Sequence, residues 1–146
     1  MSIRSTVEVD IEAPRAKVAA LFADPAQSTK WMDDLERVEP LNGVLGTVGS
    51  SYRLVPKRGT MDFVATVVAK TLPNEVRVNL DGPNVSVQVT GTLRVLDAGH
   101  TTLVSEEIFT FKGLLGKVLG LFAGSAIKRA HRRHIEAFKR FAERVA

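Results

Sequence analysis

From Leu35 to Phe111, turn chemistry interrupts the chain so often that only hairpin-connected strands fit between the interruptions. The punctuation is Asn42-Gly43, the run 56–59, Leu72-Pro73-Asn74, Asp81-Gly82-Pro83-Asn84 and Asp97-Ala98-Gly99. Parallel neighbours would need crossovers of about a dozen residues or more, so these six runs predict an antiparallel meander. Several runs declare an inner face: Tyr52 and Leu54; Met61, Phe63, Ala65 and Val67; Val76, Val78 and Leu80; Val85, Val87, Val89, Leu93 and Val95.

Both flanks complete the plan. Residues 3–11 alternate, with Ile3, Val7, Val9 and Ile11 on one side and Arg4, Thr6, Glu8 and Asp10 on the other. This is a seventh, half-buried strand. Pro14 suits the first turn of a helix carrying Val18, Leu21 and Phe22. Asp24 as cap and Pro25 at the first helical position start a second short helix ending near Trp31. At the other end, about 100° of turn per residue brings His134, Phe138 and Val145 within about 20° of Ile127. Ala130, His131, Phe141 and Ala142 lie within about 60° of that line, and the charged residues take the opposite side.

A one-sided sheet and one amphipathic helix must bury their apolar faces on each other. The expected fold is therefore α+β: a strongly curved seven-stranded antiparallel sheet wrapped around one long C-terminal helix, with two short helices after strand 1. At 146 residues this is one domain, 1–146. The sheet is broad for a single helix. It is furnished with 19 Val but only nine aromatics, so the interior is expected to hold a void of ligand size.

Composition removes several functions. Without cysteine there are no disulfides, iron–sulfur clusters or thiolate nucleophiles. No G-x-G-x-x-G follows a strand, and neither G-x-x-x-x-G-K nor G-x-S-x-G occurs. The N-terminus lacks an apolar h-region, so a cytoplasmic location is expected. The net charge of +4 is uneven: residues 112–146 carry nine Lys or Arg against Glu136 and Glu143, whereas residues 1–111 are net acidic. The basic residues have helical spacing and no base-stacking aromatics among them. They read as one solvated helix face, and no nucleic-acid partner is expected.

Ala13-Pro14, Val18 and Phe22, Asp24-Pro25, Trp31, the run 46–50 leading into Tyr52, and a terminal helix preceded by the Gly/Leu-rich stretch 113–124 follow one another in a telling order. In this the chain resembles the helix-grip, START-like superfamily (SRPBCC), specifically its polyketide cyclase/dehydrase and lipid-transport branch. The resemblance spans essentially the whole chain. It implies a deep, mostly apolar cavity between sheet and last helix, and it implies no particular reaction. The branch is usually metal-free, and neither a cofactor nor a metal is expected.

Within that frame the expected ligand wall draws on Trp31, Tyr52, Met61, Phe63, Val78, Val87, Ile127, His131, His134 and Phe138. Three residues are candidates for chemistry. Glu106 and Glu107 are adjacent, so alternation sends one inward, and Glu107 shares the parity of Leu103, Phe109 and Phe111. Its alternatives are a structural salt bridge or a cavity carboxyl of raised pKa. His131 and His134 lie on the apolar stripe. They could hydrogen-bond neighbours, anchor a ligand headgroup, form an acid–base pair, or bind a metal together with Glu107. The stretch Leu114 to Phe122 reads as a close helix–sheet contact or flexible entry to the helix. Its second reading is a greasy gate making transient membrane contact. Three functions stay open: carriage of an apolar molecule such as a lipid, isoprenoid or aromatic polyketide; a cofactor-free cyclase or dehydratase; and a protein-partner module docking through the basic helix. The oligomeric state is left undetermined.

Overall fold

The computed structural model describes residues 2–59 and 62–145. β1 (Ser2–Ile11) leads through α1 (Arg15–Ala23) and a 3₁₀ helix (Pro25–Lys30) into β2 (Leu35–Asn42) and β3 (Ser51–Pro56). β4 (Phe63–Thr71), β5 (Glu75–Asp81), β6 (Val85–Asp97) and β7 (His100–Phe111) follow, and α2 (Gly113–Val145) closes the chain. The strands form one open sheet in the order β1-β7-β6-β5-β4-β3-β2, with every neighbouring pair antiparallel. β1 and β2 are consecutive in sequence yet occupy opposite edges. The two short helices make that passage. Pro14 stands at the N-cap of α1, and Asp24 caps the 3₁₀ helix by accepting from the Ala26 amide at 3.0 Å.

Register breaks at Leu35/Arg37, Pro40/Asn42, Val67/Ala69 and Val95/Asp97 bend the sheet into a curve. Its inner face can be read across the strands. One row runs Ser5, Glu107, Val89, Val78, Val67; the next runs Ile3, Phe109, Val87, Leu80, Ala65, Tyr52. α2 packs on β1, β7 and α1, at one side of this surface.

The apolar core is divided accordingly. One cluster joins Val7, Ile11, Val18, Leu93 and Leu103 to Ile135, Phe138, Phe141 and Ala142 of α2. The other is Tyr52, Ala65 and Val67, with Val38, Leu54, Val78 and Leu80 packed against it.

The helix departs from expectation in two respects. Its buried residues are Gly116, Gly120, His131, Ile135, Phe138, Phe141 and Ala142, so the true stripe is rotated by about 30° from the line through Ile127. Ile127 and Ala130 are only half-buried, Val145 is exposed beyond the core, and Ile135 takes the buried place. The Gly/Leu-rich stretch is also no lead-in to the helix; it forms its first third.

Close approach explains one of those glycines. A Cβ on Gly116 would lie 2.5 Å from the carbonyl oxygen of Asn84, in the β5–β6 turn, whereas one on Gly124 would meet nothing within 4 Å. Gly116→Ala is therefore expected to destabilise by about 1–3 kcal/mol, because backbone must move to admit the methyl. Gly124→Ala should stabilise by up to about 1 kcal/mol through helix propensity. Urea unfolding of the two variants side by side checks this, and equal shifts would mean Gly116 does not touch the turn.

Candidate functional site

His131 enters from α2 and is buried against β1 and β7. Its Nδ1 lies 2.8 Å from the Ser5 hydroxyl and its Nε2 2.9 Å from the Ser105 hydroxyl. A neutral imidazole has one N–H and one lone pair, and a hydroxyl can serve either. One serine therefore accepts from the ring while the other donates to it. Burial, reinforced by the neighbouring His134 and Arg132, holds the His131 pKa down to about 4. Near neutral pH the ring is uncharged.

Glu107 stands beside this triad on the inner face, with an oxygen 3.8 Å from His131 Nε2. Alternation has placed it as expected: Glu106 points outward, 3.5 Å from Arg4, and Glu107 inward. The salt-bridge alternative for Glu107 finds no charged partner among the described residues, since the His131 ring within 4 Å is neutral. Burial pushes its carboxyl up to about 7. It is thus poised between acid and carboxylate near neutrality, the condition for giving or taking a proton.

His134 diverges from His131. Its Nε2 is 3.3 Å from Asp34 Oδ1 but forms no hydrogen bond among the described residues. Asp33, Asp34 and His134 bring three donor atoms within 4.8 Å of one another, with both aspartates exposed. Of the alternatives, the convergence of both histidines on Glu107 does not form: His131 approaches Glu107 and His134 approaches Asp34.

Trp31 stacks on Phe22 with ring centroids 6.1 Å apart and meets Phe138 edge-on at 5.2 Å. Its indole Nε1 is buried without a hydrogen-bond partner among the described residues. Phe138 is fully buried and belongs to the core. Across the molecule, Tyr52 is buried in the second cluster, where desolvation pushes its phenol up to about 12, keeping it a neutral donor. Val87 is buried, Phe63, Val78 and Ile127 are half-buried, and Met61 lies outside the described residues.

Val89, Phe109 and Glu107 between the two clusters, and Val78 and Leu80 at the edge of the second, all keep some solvent exposure. These residues form a half-buried apolar strip on the inner face of the sheet, with the Glu107 carboxyl within it, rather than the deep enclosed void expected. Clefts of about 300 and 250 Å³ lie along the β1–α2 seam, the first lined by Val9, Asp10, Glu136, Lys139 and Arg140, the second by residues that include Arg4, Lys128 and Arg132. Neither is lined by Tyr52, Phe63, Val78 or Val87.

Sequence reasoning missed Ser5 and Ser105. The signal was available: each is a polar residue at inward parity, and Ser5 interrupts the apolar series of β1.

The family model described as polyketide cyclase / dehydrase and lipid transport matches residues 2–143. The chain belongs to that family. No curated protein matches it at a significant level. Among solved structures it is similar to the Zhui aromatase/cyclase from Streptomyces sp. R1128, at 19% identity and a TM-score of 0.78, covering 99% of this chain and 95% of that one. A START superfamily protein from Mycobacterium smegmatis is similar at 13% identity and a TM-score of 0.78, covering 98% and 99%. Norcoclaurine synthase from Thalictrum flavum, in complex with dopamine and hydroxybenzaldehyde, shares 12% identity at a TM-score of 0.72, covering 100% and 89%. At these identities the likeness is one of fold. For this polyketide cyclase/dehydrase and lipid-transport family member it establishes the helix-grip architecture and leaves the chemistry to its own residues. Among the described residues, no helix is long and apolar enough to cross a membrane.

Proposed function

We propose that this protein binds and carries an apolar small molecule, of lipid, isoprenoid or aromatic polyketide-like character, in the groove between its sheet and α2. The division of the apolar core into two clusters carries the reading. A domain of this size ordinarily builds one contiguous core with smaller satellite clusters, and here inner-face residues left partly exposed separate the two. Half-buried Val89 and Phe109 stand between the clusters, and half-buried Val78 and Leu80 edge the second, where an apolar guest would recover the burial the protein leaves unmade. A partner module docking through the basic helix would have no use for that groove. The reading requires no cofactor.

Glu107 and the serine-held His131 favour one second reading, a cyclase or dehydratase that moves a proton with a single carboxyl. In it Glu107 exchanges the proton with the guest, and His131 acts as a positioning residue.

Titration with an apolar fluorescent probe, 1-anilinonaphthalene-8-sulfonate, tests the common ground. Val89→Trp, projecting from β6 into the groove, should weaken probe binding about tenfold or more, because it fills the space a ligand needs. Undiminished binding by a folded Val89→Trp variant would move the ligand elsewhere. Glu107→Gln then separates carrier from enzyme by turnover: both keep affinity, and only an enzyme has a proton-transfer step that this substitution abolishes.

A further inference from the structure

The first third of α2 carries its apolar residues on the wrong side for a core. Leu114 is 83% and Phe122 82% exposed, and Leu115, Val118, Leu119 and Leu121 are exposed as well. With about 100° of turn per residue, these six side chains share one side of the helix, opposite the buried Gly116 and Gly120. Farther along that same outer side the apolar residues give way to Arg129, Arg132 and Arg133. The seven residues from Phe122 to Arg129 correspond to about 10 Å of helix axis. Lys117 and Lys128 add positive charge, Lys112 being paired with Asp81 at 2.7 Å, and no acidic residue occurs between Glu107 and Glu136.

We propose that this face docks on the surface of an anionic lipid bilayer. Leucines and Phe122 would enter the boundary between headgroups and acyl chains, and the basic collar would sit at the depth of the lipid phosphates. That is the layout an interfacial helix requires: an apolar face to bury, cations to meet lipid charge, and too little length of apolar sequence to span. Charge decides against a second copy of the chain as occupant. Pairing two such faces would bring together two collars in which only Glu136, 3.7 Å from Arg132, offsets the Arg and Lys charge. The proposal does not depend on the groove or on any cargo.

Co-sedimentation with vesicles tests it, using phosphatidylcholine alone and phosphatidylcholine mixed with phosphatidylglycerol, with no ligand added. The protein should bind the anionic vesicles and leave the neutral ones. Binding should fall steeply as salt rises above about 0.1 M. Leu115→Gln/Phe122→Gln and Arg129→Glu/Arg133→Glu should each lower the bound fraction about tenfold. All four side chains are exposed, so the melting temperature of each variant should match that of the wild type. Sedimentation with neither vesicle at low salt, or equally with both, overturns the proposal. So does binding that survives the two glutamines. Self-association abolished by those glutamines, without vesicle binding, would give the patch to a second copy and overturn it equally. Loss of probe binding in the groove, by contrast, would leave the vesicle result untouched.

Discussion

Phe138→Ala is expected to remove about 3–5 kcal/mol of stability, the range for truncating a fully enclosed phenylalanine. The ring is 0% exposed and sits where three elements meet. Phe22 of α1 contacts it edge-on at a 5.0 Å centroid separation, Trp31 at 5.2 Å, and Phe141 packs beside it at 6.4 Å. The vacated volume closes only if α1 or the end of the 3₁₀ helix moves, and both are pinned by the passage from β1 to β2. Most of the cavity cost should therefore persist. Two substitutions on the same helix serve as the reference. Arg140 is exposed, and Arg132 makes an exposed pair with Glu136 at 3.7 Å. Such pairs contribute little, so Arg132→Ala and Arg140→Ala should each stay within about 0.5 kcal/mol of wild type. Urea denaturation followed by Trp31 fluorescence reads all three. Equal losses at the three positions would mean that α2 turns another face to the sheet.

What was legible in the sequence divides along the range of the interactions involved. Strand number and antiparallel order were readable because turn residues act locally, at Asp81-Gly82 or Asp97-Ala98-Gly99, and short loops leave hairpins as the outcome. The inward turn of Glu107 was equally local, since it follows from alternation alone. The helical stripe was found, but about 30° off axis. Periodicity locates an apolar sector, whereas the sheet chooses its centre, and here it chose Ile135 over Ile127. The stretch 113–124 was misjudged because its glycines are poor helix formers. Contact with the Asn84 carbonyl gives Gly116 a role that propensity cannot register. Least legible was the environment of His131. Its partners Ser5 and Ser105 lie 126 and 26 residues away and meet it only when β1 pairs with β7 beneath α2. The ligand-size void expected from the excess of valine over aromatics is not matched by the clefts along the β1–α2 seam, because bulk alone does not tell where the sheet and helix close on each other.

Replacing Glu107 with Gln should make the protein progressively more stable than wild type as pH rises. The carboxyl titrates near its ordinary value of 4.5 in the unfolded chain and at about 7 in the native protein, where burial opposes its charge. Between those values the native state holds the proton that the unfolded state has released. Wild-type stability therefore carries a downward contribution as pH climbs from 4.5 to 7. His131 works in the opposite sense. Its native pKa of about 4 lies below the ordinary 6.5, so the unfolded state holds the extra proton, and stability gained from burying a neutral ring is lost as pH falls from 6.5 toward 4. The two slopes oppose each other through the shared window, which leaves the wild-type contribution from this pair nearly level there. Gln cannot ionise, so Glu107→Gln exposes the rising His131 limb alone. Relative to wild type it should be nearly neutral at pH 4.5 and more stable by about 3 kcal/mol at about pH 7.5. Urea unfolding of both proteins across this range measures the difference directly. A constant offset independent of pH would show that Glu107 titrates normally in the folded protein. It would then stand on the inner face of the sheet as an ordinary hydrated carboxylate, and the acid–base reading of the site would lose its proton donor.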